Sequence, residues 1–245
     1  MEEKRLIAGR RPVWEALQAG TAVSRIIVQQ GLRSKAITDI VSAAKARQIA
    51  VEYWPKNAMD KRDAGNHQGV IAEVPPFRYT PFADLLAARR DEPPFLVVLD
   101  HLQDPHNVGA IVRTAYAAGC HGLILPERRA AGMTPAAVRT AAGAAEYLPV
   151  ARVVNVARCL EQCREAGMWV YGADMEGEML YTEGDYKGPV VLVIGSEGEG
   201  LGRLVKTKCD YLVRLPMRGR IKSLNASVAA GLLMYEVFRQ RAGFT

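Results

Sequence analysis

Three stretches of the 245-residue chain hold most of the residues whose types and spacing could do chemistry. Residues 99–113, "LDHLQDPHNVGAIVR", put Asp104, Pro105 and Asn107 in a turn and Arg113 in a run that is otherwise apolar. Asn107 could cap the helix that follows. A guanidinium beside Val108, Ala110, Ile111 and Val112 needs a partner, and a phosphate or carboxylate matches its fork. A surface arginine on a capped helix is the plainer alternative. Residues 190–202, "VVLVIGSEGEGLG", run from β-branched residues into a glycine-rich turn that carries Glu197 and Glu199. The glycines at 195, 198 and 200 do not have the spacing of a dinucleotide loop, and no G-K-[ST] follows for a triphosphate. Two carboxylates would also repel a diphosphate. Such a loop lets backbone approach a neutral or cationic ligand, or pairs a glutamate with an arginine; a tight turn with solvated glutamates is the competing reading. Residues 213–225, "VRLPMRGRIKSLN", offer Ser223 and Asn225 as helix caps or ligand contacts. Arg218, Arg220 and Lys222 form a cationic edge that could face phosphate, and residues 215–217 offer apolar surface and backbone groups to a base.

These stretches sit where strands are expected to end. "FLVVLD", "GLILP", "MWVYGAD", "VVLVIG" and "YLVRLP" are apolar throughout and are separated by helical segments near 107–119, 134–146, 156–166 and 224–241. That pattern indicates a parallel sheet covered on both faces, with ligands bound beyond the carboxyl ends of its strands. Upstream, a helix near 12–19, strands in "SRIIVQQ", "IAVEYW" and "GVIAEV", and helices near 34–48 and 55–65 suggest a small α/β sandwich. Between them, "EVPPFRYTPFADLLAARRDEPP" is rich in proline and charge, with one short helix near 82–90. The expected organisation is a binding module over 1–76, a linker over 77–92 and a second domain over 93–245.

The net charge of +6 is concentrated upstream: residues 1–78 hold 13 Lys/Arg against 8 Asp/Glu. This suits a module that meets polyanions, although a solvated basic surface has the same composition. No apolar run approaches the roughly 20 residues that span a bilayer, and the charged N-terminus lacks a signal-peptide core. A cytoplasmic location is expected. Cys120, Cys159, Cys163 and Cys209 read as free thiols, since no histidine stands near the pair one helical turn apart. His101 and His106 flank Asp100 and Asp104, but contiguous loop residues seldom complete a coordination sphere, so no metal is expected. His67, in "GNHQGV", is either a nucleic-acid contact or a turn-stabilising residue; Arg10 and Arg11 are further candidates for such a contact.

Taken together, "LDHLQDPHNVGAIVRTAYAAG", "VVLVIGSEGEGL" and "VRLPMRGRIKSLNASVAAGLLMYE" resemble the three ordered motifs of the SpoU family of RNA ribose 2′-O-methyltransferases, within the SPOUT superfamily. "AAGAAEYLPVARVVN" fits between them, and "IAGRRPVWEAL" and "NHQGVIAEV" resemble the substrate-binding domain of the TrmH/RlmB-type branch. Departures are Ala226, where valine is frequent, and Thr140–Ala141 before Gly143. The resemblance implies S-adenosylmethionine as cofactor, held by backbone at Gly195, Leu215 and Leu224 with Ile194 beside it. It implies active-site roles for Asn107, Arg113, Glu197, Ser223 and Asn225, a trefoil knot in the C-terminal segment, and a homodimer with the site near its interface. General rules disfavour knots, so only the family supplies that expectation. A sulfonium donor removes the conflict with the loop glutamates, and Glu197 is expected to pair with Arg113 or another cation. In the family the arginine matching Arg113 is proposed as the base. A guanidinium resists deprotonation, so electrostatic positioning is favoured, with Asn107, Ser223 and Asn225 orienting the hydroxyl or the loop. The expected activity is methylation of a ribose, guanosine favoured, in large-subunit rRNA. The alternatives are a tRNA ribose methyltransferase and a non-catalytic RNA-binding protein.

Overall fold

The computed structural model describes residues 5–63, 65–88, 91–219 and 223–243. Its N-terminal part is β1 (Arg5–Ala8), α1 (Arg10–Gln18), β2 (Arg25–Gln29), α2 (Lys35–Ala46), β3 (Ala50–Trp54), α3 (Lys56–Arg62) and β4 (Val70–Val74). The four strands form a mixed sheet in the order β1-β4-β2-β3. Alternation along β2 sends Ile26 and Val28 into a core with Val13 and Leu17 of α1 and Ile37 and Ile40 of α2. Ile27 faces the other way, onto Met59 of α3. The result is the small α/β sandwich expected from the periodicity.

After α4 (Phe82–Ala87) come β5 (Phe95–Leu99), α5 (Pro105–Ala117), β6 (Gly122–Pro126), α6 (Pro135–Thr140), β7 (Val150–Val153) and α7 (Val156–Glu165). The chain ends with β8 (Trp169–Ala173), β9 (Met179–Leu180), β10 (Val190–Ile194), α8 (Arg203–Lys206), β11 (Tyr211–Arg214) and α9 (Ala226–Arg241). These seven strands form one sheet in the order β7-β6-β5-β10-β8-β11-β9, and every pairing in it is parallel. Its strands are apolar throughout because both faces are covered. Phe95, Val97 and Leu99 pack with α5 and α9 residues such as Ile111 and Leu233, while Leu96 and Val98 pack with Leu160 of α7 and Val205 of α8.

Four expectations shift. The helix expected over 134–146 stops at Thr140, because Ala142 (φ 51°) and Gly143 (φ 96°) turn left-handed before a 3₁₀ turn at Ala144–Glu146. The short strands β1, β7 and β9 carry too few residues to show a period. The helix expected from 107 begins at Pro105, with Asp104 rather than Asn107 at its cap and accepting from the His106 amide at 2.9 Å. Finally, α4 ends at Ala87, and Arg90 lies outside the described residues.

The order of strands positions the site. β10 lies between β5 and β8, so the loops after β5 and β10 are neighbours at the place where the winding reverses, which is where open α/β sheets bind ligands. The small sheet is tied to this unit by buried contacts. Glu146 pairs with Arg5 at 2.9 Å and accepts from Thr21 Oγ1 at 2.8 Å, and Tyr147 OH donates to the Glu15 carbonyl at 3.1 Å.

Candidate active site

The loop after β10 closes on itself. The amide of Ser196 donates to the Gly200 carbonyl at 3.1 Å and that of Gly200 returns to Ser196 at 3.0 Å. A Cβ at Gly195 would overlap the Gly200 backbone, so glycine there serves the fold of the loop itself as much as any ligand. Asp100, fully buried after β5, accepts from the Gly202 amide at 2.8 Å and so fixes the far end of the loop. Its other oxygen lies 2.6 Å from His101 Nδ1 without hydrogen-bonding geometry.

Three of the five residues expected to be catalytic meet over this loop. Glu197 Oε1 accepts from Asn107 Nδ2 at 2.8 Å, from Asn225 Nδ2 at 2.5 Å and from the Ala226 amide at 3.1 Å. Asn225 Nδ2 also donates to Asn107 Oδ1 at 2.9 Å. Both amide orientations follow from α9, because Asn225 Oδ1 caps it by accepting from the amides of Ser227 (3.0 Å) and Val228 (3.3 Å), which turns Nδ2 toward Glu197. The carboxylate therefore sits at a helix N-terminus, where the aligned peptide dipoles favour negative charge. Asn107 is 8 % exposed, on the inner side of α5.

Arg113 is not part of this cluster. It lies on the exposed face of α5 and makes no hydrogen bond or ion pair among the described residues. Six residues separate it from Asn107, which places the two about 120° apart around the helix. The expected Glu197–Arg113 pair is thus absent within one chain, and neutral amides and the dipole of α9 meet the carboxylate instead. Ser223 is exposed at the rim and does not cap α9; Asn225 does.

Beside the cluster, a cleft of about 280 Å³ is lined by Ile194, Gly195, Leu215 and Leu224, the four residues expected at the cofactor, together with Ser223 and Glu197. Its walls combine apolar side chains and loop backbone with the carboxylates of Asp174, Glu176 and Glu199 and one ammonium, Lys206. Lys206 Nζ lies 2.5 Å from Asp174 Oδ2, and this hydrogen bond holds the ammonium above its ordinary range. Excess negative charge suits a cationic ligand and opposes a polyphosphate. Asp174 and Lys206 escape a reading of motifs, although Asp174 stands at the carboxyl end of β8, where the ligand rule for parallel sheets directs attention.

Other expected contacts lie elsewhere. His67 is buried, its Nε2 is 2.9 Å from Asp60 Oδ1, and its Nδ1 accepts from the Gly69 amide at 3.0 Å. Both ring nitrogens are thus engaged inside the chain, as those of a turn-stabilising histidine would be. Arg10 Nε donates to the Gln68 carbonyl at 3.1 Å, while Arg11 is well exposed and 3.3 Å from Glu15. Arg218 is exposed; Arg220 and Lys222 lie outside the described residues. His106 Nδ1 contacts Thr140 Oγ1 at 3.2 Å. Among the described residues no three His, Cys, Asp or Glu side chains group as metal ligands, and no helix is long and apolar enough to cross a membrane. All four cysteines are free, three of them buried.

Residues 94–235 match the model of the SpoU rRNA Methylase family, and residues 6–80 match that described as RNA 2′-O ribose methyltransferase substrate binding. YacO of Bacillus subtilis strain 168, whose name places it in the TrmH family of tRNA/rRNA methyltransferases, is 44 % identical over 237 residues, covering 96 % of this chain and 95 % of its own. The structure of the SpoU methyltransferase AviRb from Streptomyces viridochromogenes in complex with AdoMet superposes with a TM-score of 0.81 at 29 % identity, over 98 % of this chain and 91 % of that one. An AdoMet-bound rRNA methyltransferase from Sinorhizobium meliloti superposes with a TM-score of 0.80 at 29 % identity, over 97 % and 87 %. With one family model spanning more than half of the chain and a relative this similar over nearly all of it, the protein belongs to the SpoU rRNA methylase family and is an RNA methyltransferase of the SpoU/TrmH type.

Proposed function

We propose that the protein transfers the methyl group of S-adenosylmethionine to the 2′-hydroxyl of a ribose, guanosine favoured, in large-subunit rRNA. The observation that carries this reading is the joining of Asn107, Glu197 and Asn225 beside a cleft lined by Ile194, Gly195, Leu215 and Leu224. The cleft fits the cofactor chemically, because its carboxylates and loop backbone accept a sulfonium and an ammonium, and its apolar walls accept an adenine. When bound, S-adenosylmethionine supplies a methyl group already attached to a good leaving group. The residues of the chain then have two tasks, aligning the hydroxyl and letting its proton pass to solvent water as the oxygen–carbon bond forms and the carbon–sulfur bond breaks. Backbone groups of the two loops hold the donor, and alignment of the ribose oxygen behind the methyl carbon contributes several kcal/mol. Glu197 fixes Asn107 and Asn225, and Ser223 at the rim meets the hydroxyl or an adjoining phosphate.

Arg113 enters this scheme from a second copy of the chain. Val228, Leu232 and Tyr235, each more than two-fifths exposed, form an apolar stripe on α9, and Tyr116 of α5 is exposed as well. Gly231 on α9 lies against Thr114, next to Arg113. A homodimer that covers the stripe would carry Arg113 toward the other site, where its fork positions phosphate or steadies the developing alkoxide. Residues 1–76 act as the RNA-binding domain and 77–92 as the linker to residues 93–245, for which the trefoil knot is the family's expectation. The similarity, across both parts, to an S. meliloti protein named as an rRNA methyltransferase supports choosing rRNA over tRNA in this reading. Incubating the protein with labelled cofactor and unmodified total RNA, then mapping the label by mass spectrometry, tests RNA class and atom together. Label on a base or in tRNA alone would overturn the assignment.

A further inference from the structure

The small sheet and the large one enclose a second space. A cavity of about 450 Å³ lies between β1 and α6, and it shares no lining residue with the donor cleft. Ile7, Met133 and Val138 form its buried floor, and Pro76 and Pro135 stand exposed at its rim. Ala137 and Thr140 of α6 meet Gly109 of α5, while Val138 and Arg139 turn to the cavity. One helix thus stands between this space and the helix that carries Asn107.

Arg5 sets the chemistry of the cavity. Its side chain is 8 % exposed, and its Nη2 donates to Glu146 Oε1 at 2.9 Å. Its Nε and Nη1 are buried without a hydrogen-bond partner, two of only five such side-chain atoms among the described residues. Buried donors are costly unless something accepts from them. The carboxylates that line the cavity are already engaged. Glu146 Oε2 accepts from Thr21 Oγ1 at 2.8 Å, and Asp63 pairs with Arg139 at 3.0 Å. Two arginines therefore meet two carboxylates, and the lining carries no net charge. An anion placed here would sit beside both carboxylates with no cation to spare. A neutral group with acceptors and apolar faces meets the need. Arg5 supplies the donors, and Phe77, whose ring centre lies 5.6 Å from the Arg5 guanidinium carbon, adds to the apolar wall.

We infer that this cavity binds a nucleobase, guanine in preference to adenine, turned out of the RNA at a nucleotide other than the one methylated. Guanine offers O6 and N7 as adjacent acceptors, whereas adenine sets an amino donor beside its N7. Proteins read looped RNA by taking unstacked bases into such recesses, and the volume lies within the range of about 300–1,000 Å³ that holds small ligands. The inference rests on the reading of the protein as an RNA methyltransferase. It adds a base-reading site built by both domains, with Arg5 from the small one and residues 133–146 from the large one. A base held there fixes one domain against the other and supplies sequence selection that the donor cleft does not.

The test uses the full chain. Saturation-transfer NMR should show guanosine bound more tightly than adenosine. Transcripts of large-subunit rRNA and of tRNA, each carrying 6-thioguanosine, are then irradiated with the protein and the linked peptides mapped by mass spectrometry. The rRNA transcript should link within residues 5–12, 76–77 or 133–139. The double variant Arg5→Met, Glu146→Gln removes the donors without stranding a carboxylate, and its glutamine still accepts from Thr21. It should lose the cross-link and about tenfold in rRNA affinity, as for one lost base contact. The slope of log affinity against log salt should not change, because no phosphate contact is lost. S-adenosylmethionine affinity should also be unchanged. Should the double variant not fold, Val138→Phe fills the floor with the ion pair intact and should give the same losses. Cross-linking that persists in a folded variant overturns the inference, as does a folded, cofactor-binding parent that neither binds guanosine nor cross-links. Guanosine binding with no cross-link from either RNA keeps the site for a free nucleoside and overturns its part in reading RNA. Cross-linking from tRNA alone leaves the cavity assigned and instead retires the choice of rRNA.

Discussion

Asn225→Asp isolates the contact on which the site depends. Asparagine and aspartate are nearly equal as helix N-caps, so the oxygen that accepts from Ser227 and Val228 is retained. The Nδ2 donor is not. It bonds Asn107 Oδ1 at 2.9 Å and Glu197 Oε1 at 2.5 Å. The first is a neutral bond worth about 1 kcal/mol and the second a charge-assisted one worth about 1.5–3 kcal/mol. The new carboxylate also faces Glu197. Unit charges roughly 3 Å apart repel by about 1 kcal/mol in water and about 5 kcal/mol at an effective dielectric of 20. Both side chains are exposed, so the lower end applies. The sum is about 3–5 kcal/mol, or on the order of 10 °C in melting temperature for a chain of this size. The sign with pH is fixed by the pair. Glu197 raises the affinity of the introduced carboxyl for its proton, so stability is recovered as pH falls and the protonated acid donates again. Thermal melts at pH 8 and pH 5, with S-adenosylmethionine titrated at each, give the result. Asn225→Ser, which keeps a cap and adds no charge, should lose about 2.5–4 kcal/mol with no such pH dependence. An Asn225→Asp protein that melts within about 2 °C of the parent at both pH values, with cofactor affinity unchanged, would refute the Glu197-centred arrangement.

Gly195→Ala should cost about 1–3 kcal/mol, because its Cβ meets the Gly200 backbone rather than a movable side chain, and calorimetry should show donor binding lost. Arg113→Ala should leave the melting temperature within about 2 °C, as befits an exposed residue without a hydrogen bond or ion pair among the described residues, while methyl transfer collapses. In Arg113→Lys, near-complete activity rising steeply with pH would favour a titrating base, and a flat, crippled profile the fork geometry. Arg239, helped by Gln240, holds the Glu236 carboxyl below its ordinary value of 4.5 against the opposing effect of burial. A depressed carboxyl adds stability above its unfolded value and loses it as pH falls through the folded one. Glu236→Gln should therefore be less stable than the parent at neutral pH and converge with it in melts as pH falls through the lowered folded value of Glu236.

Much of this protein was legible in its sequence because the information is local. Unbroken apolar strands such as residues 190–194 announce a sheet buried on both faces, and the 3.6-residue period announces the longer helices. Three motifs in order carry the family. Elements failed where the local signal is short or conflicting. Residues 5–8 and 150–153 are too brief to show a period, and the alanine-rich run at 134–146 conceals the left-handed pair that breaks it. Asn107 as a cap and Glu197 as the partner of Arg113 were reasonable from composition, since a cap and an ion pair are the usual uses of those groups.

What the sequence alone determined is therefore the fold class, the family and the identity of the polar residues at strand ends. Tertiary structure decided which of those residues meet. Insertion of β10 between β5 and β8 brings Asn107, Glu197 and Asn225 together from positions up to 118 residues apart, and the phase of α5 turns Arg113 away from them. It also buried His67. The physical reason is that a side chain's partner is set by packing between distant segments, and no spacing along one segment encodes the distance to another.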